Sequence, residues 1–471
     1  MNRLACFALA GAFLALTCPA ATAEVVTYPA VQGLAVSNDF TVSADDKPVE
    51  VHCVKTLHGE SASFAAFDFS GSVRVAVRSQ RRAAGAKILP ASFGVAPTIE
   101  GDAITFRLDR PRNLTIEVDG IQRVLHLFAN PIDPAPPKPG DPGVIYFGPG
   151  LHEVATLDVP SEATLYLAPG AVLRAVIPPG EKPVQESNWR KNKVYRSFIE
   201  LKGSKNVNIR GRGVIDLGGL PWHARTAIVL SKVENVTVEG ITLLDAPAWV
   251  VAMFESRKVH VDNVKEICRR ENSDGVDVCN SQDVLVENCF LRNNDDEVCV
   301  KTTSPAPAQT SEKILVRNCV IWNERARGLG ITSETRRDIS DVTFTDCDIL
   351  HDYSQNADCA ALAVLVSDSG TMRNVRFENI RVNDVKVLFR AWVGKDMWGH
   401  DQERGHVDGV LLKNITVTGE HSPKSEIIGC DAAHAIENVT FENLTIQGRA
   451  VRSPEEGNIS TNPFVKNLQI R

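Results

Sequence analysis

The chain has 471 residues and a formal net charge of −7, with 51 Lys and Arg against 58 Asp and Glu. It contains no basic tract of the kind that grips phosphate backbones, so a nucleic-acid partner is not expected. After the first 23 residues no apolar run reaches the roughly 18 residues that cross a bilayer, so no membrane span is expected.

In chain order, residues 1–23 carry Arg3, an apolar run over 4–16 and then Ala21-Thr22-Ala23. This is the pattern of a secretory signal peptide with a small-x-small cleavage site, and it implies a secreted or periplasmic protein. Of the 11 cysteines, Cys6 and Cys18 fall in this leader. An odd number remains, without a Cys-x-x-Cys pair, which argues against a disulfide framework or a zinc site.

Residues 24–130 show short alternating apolar runs such as Val73-Arg74-Val75-Ala76-Val77 and Leu114-Thr115-Ile116-Glu117-Val118, broken by Gly, Asp and Asn. They predict a small antiparallel β-sandwich. Residues 131–143 are too rich in proline for a helix or a sheet interior and suit a stiff linker, which places a domain boundary there.

From residue 144 to 471 the chain repeats itself. Apolar-x-apolar steps begin at Val207, Val236, Val259, Val284, Ile314, Val342, Val375, Val410 and Val439, at intervals of 23 to 35 residues. Four positions after each start stands Gly211, Gly240, Asn263, Asn288, Asn318, Asp346, Asn379, Asn414 or Asn443, residue types that tolerate a left-handed backbone. From the second step onward the next residue is apolar: Ile241, Val264, Cys289, Cys319, Cys347, Ile380, Ile415 and Leu444. Coils that cannot bury their inner faces alone must stack, and aligned side chains then form internal ladders. The pattern predicts an all-β fold, a parallel β-helix solenoid behind a small N-terminal sandwich. Cys289, Cys319 and Cys347 serve there as small buried hydrophobes, and Trp322 is expected in the core of a ladder strand.

Two neighbouring coils carry Asn272-Ser273-Asp274-Gly275-Val276-Asp277 and Asn294-Asp295-Asp296-Glu297-Val298-Cys299-Val300-Lys301. Asp274 and Asp295 lie 21 residues apart, close to one coil, so their carboxylates should cluster on one face about 4.8 Å apart by sheet spacing. Clustered like charges raise at least one carboxyl pKa, and glycoside hydrolysis needs one protonated and one ionised carboxyl. A solvated acidic turn or a calcium site is the alternative, and Asp277 and Glu297 read as structural.

On these motifs the sequence resembles the polygalacturonase-like right-handed β-helix hydrolases, glycoside hydrolase families 28 and 49. Asn272-Ser273-Asp274-Gly275 matches an Asn-Thr-Asp-Gly motif, and Asp295-Asp296 with Lys301 matches an Asp-Asp pair followed by Lys. The resemblance implies an inverting hydrolase of a polysaccharide or oligosaccharide. Asp295 would be the general acid, Asp274 and Asp296 would hold and deprotonate the attacking water, and Asn272, Lys301 and Arg327 would bind substrate. Two departures concern substrate charge. Gly328-Leu329-Gly330 stands where the family has Gly-His-Gly, and Ala360-Ala361-Leu362-Ala363-Val364 stands where it has the carboxylate-binding Arg-Ile-Lys. A dextran-like neutral glycan and a pectin-type uronan both stay open, because Arg325, Arg327, Arg336 and Arg337 could supply a substitute anion site.

Trp249 and Trp398 are candidates for stacking against sugar rings. His223, His400, His406 and His434 have no metal-ligand spacing, and no Gly-x-Ser-x-Gly elbow occurs. The expectation is therefore metal-free, cofactor-free acid-base chemistry in a monomer. A polysaccharide lyase and a non-catalytic carbohydrate-binding β-helix are the competing readings on the same fold.

Overall fold

The computed structural model describes residues 24–81, 83–186, 191–354 and 359–471, and the expected leader, residues 1–23, lies outside them. From Val144–Phe147 onward the described chain winds into three long sheets of twelve, twelve and eleven strands, which begin at Val144–Phe147, Gly150–Val154 and Leu157–Asp158. Each strand pairs in parallel with its counterpart one coil away, apart from the antiparallel closing pair Thr445–Ile446 with Arg449–Ala450. This is a right-handed parallel β-helix, the hand that successive parallel strands take almost without exception.

The repeat read from sequence is the register of the first sheet. Val207 pairs with Val236, Val236 with Val259, and so on through Val439. All nine step residues point inward, with no more than 2% exposure. The turn residues sit in the left-handed region, with φ of +52° to +62° for the Asn and Asp positions and larger values at Gly211 and Gly240. Cys289, Cys319 and Cys347 are fully buried, and each thiol donates to the carbonyl two residues back, at 3.2 to 3.3 Å. All nine described cysteines are free thiols. Placing a β-branched side chain in the left-handed backbone costs about 1–2 kcal/mol. Asn318→Val is therefore expected to lower unfolding stability by about that amount, and Asn318→Gly by much less because glycine takes a positive φ without steric cost, measured by urea denaturation.

The N-terminal region forms a six-stranded and a five-stranded sheet packed around their own core. The expectation of purely antiparallel pairing fails at one place: Ser61–Ser70 and Arg123–Pro131 pair in parallel. The reason is burial on both faces, which gives near-continuous apolar strands. Phe67, Phe69, Leu125 and Leu127 face the sandwich core. Phe64, Val124 and Phe128 face the coil, where they meet Phe290, Trp322 and Leu350 of the second sheet. Trp322 is buried as expected, yet it lies outside the coil interior, under the sandwich, with the Arg292 guanidinium 4.0 Å above its ring.

Residues 131–143 run along the coil, with Asp133 paired to Arg210 at 3.1 Å. From the sandwich, His58 reaches Glu324 at 2.6 Å, immediately before the turn that carries Arg325 and Arg327. No helix among the described residues is long and apolar enough to cross a membrane.

Candidate active site

The site is built on turns that join the second sheet to the third. Backbone hydrogen bonds stack these turns: Val250 N donates to Asp274 O, Gly275 N to Asp296 O, and Glu297 N to Arg327 O, at 2.7 to 2.9 Å. Asn272 takes a left-handed conformation (φ +64°) that reverses the chain just before Asp274. The Ser273 hydroxyl donates to Arg270 O at 2.6 Å and accepts from Asn294 N at 3.2 Å, which ties one turn to the next. Gly275 is required by space, because a Cβ there would lie 2.4 Å from Glu297 O.

Above these turns opens a cleft of about 350 Å³. Its lining includes Trp249, Asn272, Asp274, Asp295, Asp296, Lys301, Arg327 and Trp398, all eight residues that the sequence nominated. One oxygen from each of Asp274, Asp295 and Asp296 lies within 4.8 Å of the others. Asp274 and Asp296 are buried, and Asp295 is the one of the three that reaches solvent.

Two cations balance the cluster. Lys301 Nζ lies 2.9 Å from both Asp274 and Asp277, 4.0 Å from Asp296 and Glu334, and 4.3 Å from the centroid of the Trp249 ring. Burial alone would lower the Lys301 pKa, but Asp274 and Asp277 hold it well above the usual lysine range. Arg327 pairs with Asp296 at 3.2 Å. Burial, reinforced by the Asp296 charge and opposed by Arg327 and Lys301, pushes Asp295 up to about 7. Burial also raises Asp274, against the pull of Lys301, and lifts Asp277 to about 6. The cleft thus offers protonated and ionised carboxyls side by side near neutral pH, which is what acid-base catalysis requires. A metal ion could find ligands in Asp274, Asp295 and Asp296, or in Asp274, Asp277 and Cys299. Lys301 already bonds both carboxylates of the second set, and with Arg327 it supplies compensating charge at the first.

The register corrects one motif assignment. Leu329, the middle of Gly328-Leu329-Gly330, is fully buried in the coil interior. A histidine there would point away from the cleft, and on the turn just before it this coil contributes Arg325 and Arg327 to the lining. The substitute anion site also shrinks, because Arg336 is paired with Asp401 at 3.1 Å and Arg327 with Asp296. Trp249 lines the cleft with Lys301 held against its ring, so its part includes placing that cation.

Sequence reasoning missed Glu271, Glu334 and Met397 in the lining, and a buried lattice beneath Gly275. Asn293 Nδ2 donates to Glu266 at 2.7 Å and to Glu297 at 2.9 Å, and Asn293 N donates to Glu297 at 2.9 Å. The available signal was an acid inside an apolar strand, Lys265-Glu266-Ile267-Cys268. Burial, with the charge of Asp277 adding to it, pushes Glu266 up to about 8. A raised carboxyl keeps its proton in the folded state where the unfolded chain has lost it, so this contribution to stability is complete at low pH and fades as pH rises toward 8. Glu266→Gln should therefore flatten the fall in stability between pH 5 and 8, read from urea midpoints across that range. An unchanged slope would show that Glu266 is ionised in the folded protein.

Comparison with known proteins places this cleft among relatives. The family model for "Glycosyl hydrolases family 28" matches residues 174–463. A probable exopolygalacturonase B of Aspergillus flavus is 24% identical over 310 residues, covering 57% of this chain and 69% of that protein. A polygalacturonase of Chamaecyparis obtusa is 27% identical over 286 residues, covering 55% and 53%. Among solved structures, Dex49A from Penicillium minioluteum aligns with a TM-score of 0.66 at 14% identity, over 95% of this chain and 96% of that one. The Yersinia enterocolitica family 28 exopolygalacturonase aligns with a TM-score of 0.56 at 15% identity, over 85% and 96%. The family model spans more than half of the chain, including every coil that carries an aspartate of the cleft, and the chain therefore belongs to glycosyl hydrolases family 28.

Proposed function

We propose that this glycoside hydrolase is an exported enzyme that cleaves a polysaccharide with inversion at the anomeric carbon, using Asp274, Asp295 and Asp296. The observation that carries the reading is the convergence of these three carboxyls, from two stacked turns, within 4.8 Å in one cleft. Asp295, partly exposed and held near 7, donates its proton to the leaving glycosidic oxygen. Asp274 and Asp296, buried on adjacent coils, hold a water between them, and Asp296 takes its proton as the oxygen attacks. Lys301 and Arg327 keep the pair in place and balance their charge. Asn272 and Trp398 line the path of the sugar chain.

The spacing deserves a specific test. Inverting acid and base carboxyls usually stand about 6.5–9.5 Å apart, and retaining pairs about 5–5.5 Å. Here one oxygen of each carboxyl lies within 4.8 Å of the others, and the proposed arrangement is a clamp of two carboxyls on the water. Proton NMR of freshly released product should show the anomer opposite to that of the substrate bond. Release of the same anomer would turn Asp274 or Asp296 into a nucleophile and end the water-clamp reading.

A lyase on these residues would need a basic side chain free to take a proton. Lys301 is caged by carboxylates that hold its proton and Arg327 is ion-paired, which leaves Arg325, on the turn beyond Asp295, as the one lining cation among the described residues without a carboxylate partner. The three converged aspartates favour hydrolysis. The chain is proposed to act as a monomer and, on the composition of residues 1–23, outside the cytoplasm.

A further inference from the structure

The charged lining of the cleft consists of Glu271, Asp274, Asp295, Asp296 and Glu334 against Lys301, Arg325 and Arg327. Two of the three cations are committed to carboxylates of the protein, Lys301 to Asp274 and Asp277, and Arg327 to Asp296. Among the next cations along the coils, Arg336 is committed to Asp401 at 3.1 Å and Arg390 to Glu426 at 2.6 Å, and Arg337 is not part of the cleft lining.

In the third sheet, the outward column that runs through Asp277 and Cys299 continues as Gly330, Ala363 and Arg390 in register. Two successive coils beside the aspartates thus present no polar side chain in this column. Gly330 cannot acquire one without rearrangement, since a Cβ there would lie 2.2 Å from Ala363 O. Among the described residues, Arg325 is the lining cation without a carboxylate partner. It stands half-buried on the turn one coil beyond Asp295, with its backbone N bonded to Asn323.

A uronate ring brought to the aspartates would set its carboxylate among like charges. Pairing it beside the aspartates would mean stripping Lys301 or Arg327 from a buried partner, which leaves a costly unpaired charge, and Arg325, the remaining lining cation, stands on the turn one coil beyond Asp295. A neutral ring meets no such penalty. Its hydroxyls can donate to the carboxylates, and its apolar face can rest against Trp398 and the 74% exposed Met397. We infer that the sugar whose anomeric carbon is attacked is uncharged, and that the cleft discriminates against uronic acids at that position. The inference rests on the hydrolytic reading of the same cleft.

The test uses the full-length Asp295→Asn variant and calorimetry against matched glycan pairs. Each pair is an acidic oligosaccharide, oligogalacturonides included, before and after chemical reduction of its carboxyl groups, so linkage and length are constant. Dextran, galactan and other neutral oligosaccharides complete the panel. The reduced member of any bound pair is expected to bind at least ten-fold tighter. An acidic member that binds as tightly or tighter overturns the inference, and loss of that binding in Arg325→Ala would move recognition to Arg325. Failure of every neutral and reduced glycan to bind overturns it too. If neutral glycans bind the variant but the wild type releases no product from them, the hydrolase reading fails and the preference for an uncharged ring stands.

Discussion

Replacing Asp295 with asparagine is expected to lower kcat on polysaccharide by about 10²- to 10⁴-fold, the range that positioned general acids contribute, while the thermal midpoint stays close to wild type. The fold should tolerate the change, because Asp295 is partly exposed and its Oδ1 accepts from Asp296 N at 3.1 Å, a bond that an amide oxygen can retain. Two further readouts separate an acid from a merely structural residue. Aryl glycosides whose leaving group needs no proton should be hydrolysed with much less loss. The pH profile should also change: with the acid of the free enzyme held near 7, wild-type kcat/KM falls as pH rises through that value, and the variant should lose this alkaline limb. Near wild-type turnover of polysaccharide by Asp295→Asn would remove Asp295 from the acid role.

Much of this was legible in the sequence because a solenoid converts position along the chain into position in space. The valines from Val207 to Val439 and the Asn, Asp and Gly that follow them repeat because every coil solves the same packing problem, so one coil predicts the next. The aspartates were legible for the same reason: 21 residues is nearly one coil, and a one-coil separation forces adjacency. What escaped was set by contacts across long sequence separations. The parallel pairing of Ser61–Ser70 with Arg123–Pro131 depends on a coil surface more than 150 residues away, and so does the place of Trp322 outside the coil.

A second left-handed column was missed as well. It includes Asn206, Asn235, Lys258, Asp283, Lys313, Asp341, Asn374 and Asn438, each one position before a step residue. Lysine carries no left-handed signature, so the column is visible in coordinates and blurred in composition. The Gly-Leu-Gly segment misled because a motif was matched by spelling, and the burial of Leu329 in the coil interior shows that it cannot reach the cleft, which Arg325 and Arg327 of the same coil line instead.

Lys301→Met tests the electrostatic frame of the site and should be the most destabilising change within it. The ammonium is 2.9 Å from Asp274 and from Asp277, and methionine of similar length fills the space without the charge. Removing one partner of a buried pair costs about 3–5 kcal/mol, because it leaves the other charge desolvated. The sign with pH follows. Burial already raises both aspartates, and Lys301 is what restrains them. Without it their folded-state values climb further above those of the unfolded chain, so the variant should lose stability more steeply than wild type as pH rises from 5 to 8. At pH 5, where the orphaned carboxyls are protonated, the deficit should be smallest. Asp277→Asn in the Lys301→Met background should recover part of the loss at pH 8, since it removes one unpaired charge and leaves the cleft aspartates in place. A Lys301→Met deficit that is independent of pH, or a double variant no more stable than the single one, would mean that packing against Trp249, and not charge balance, is what Lys301 provides.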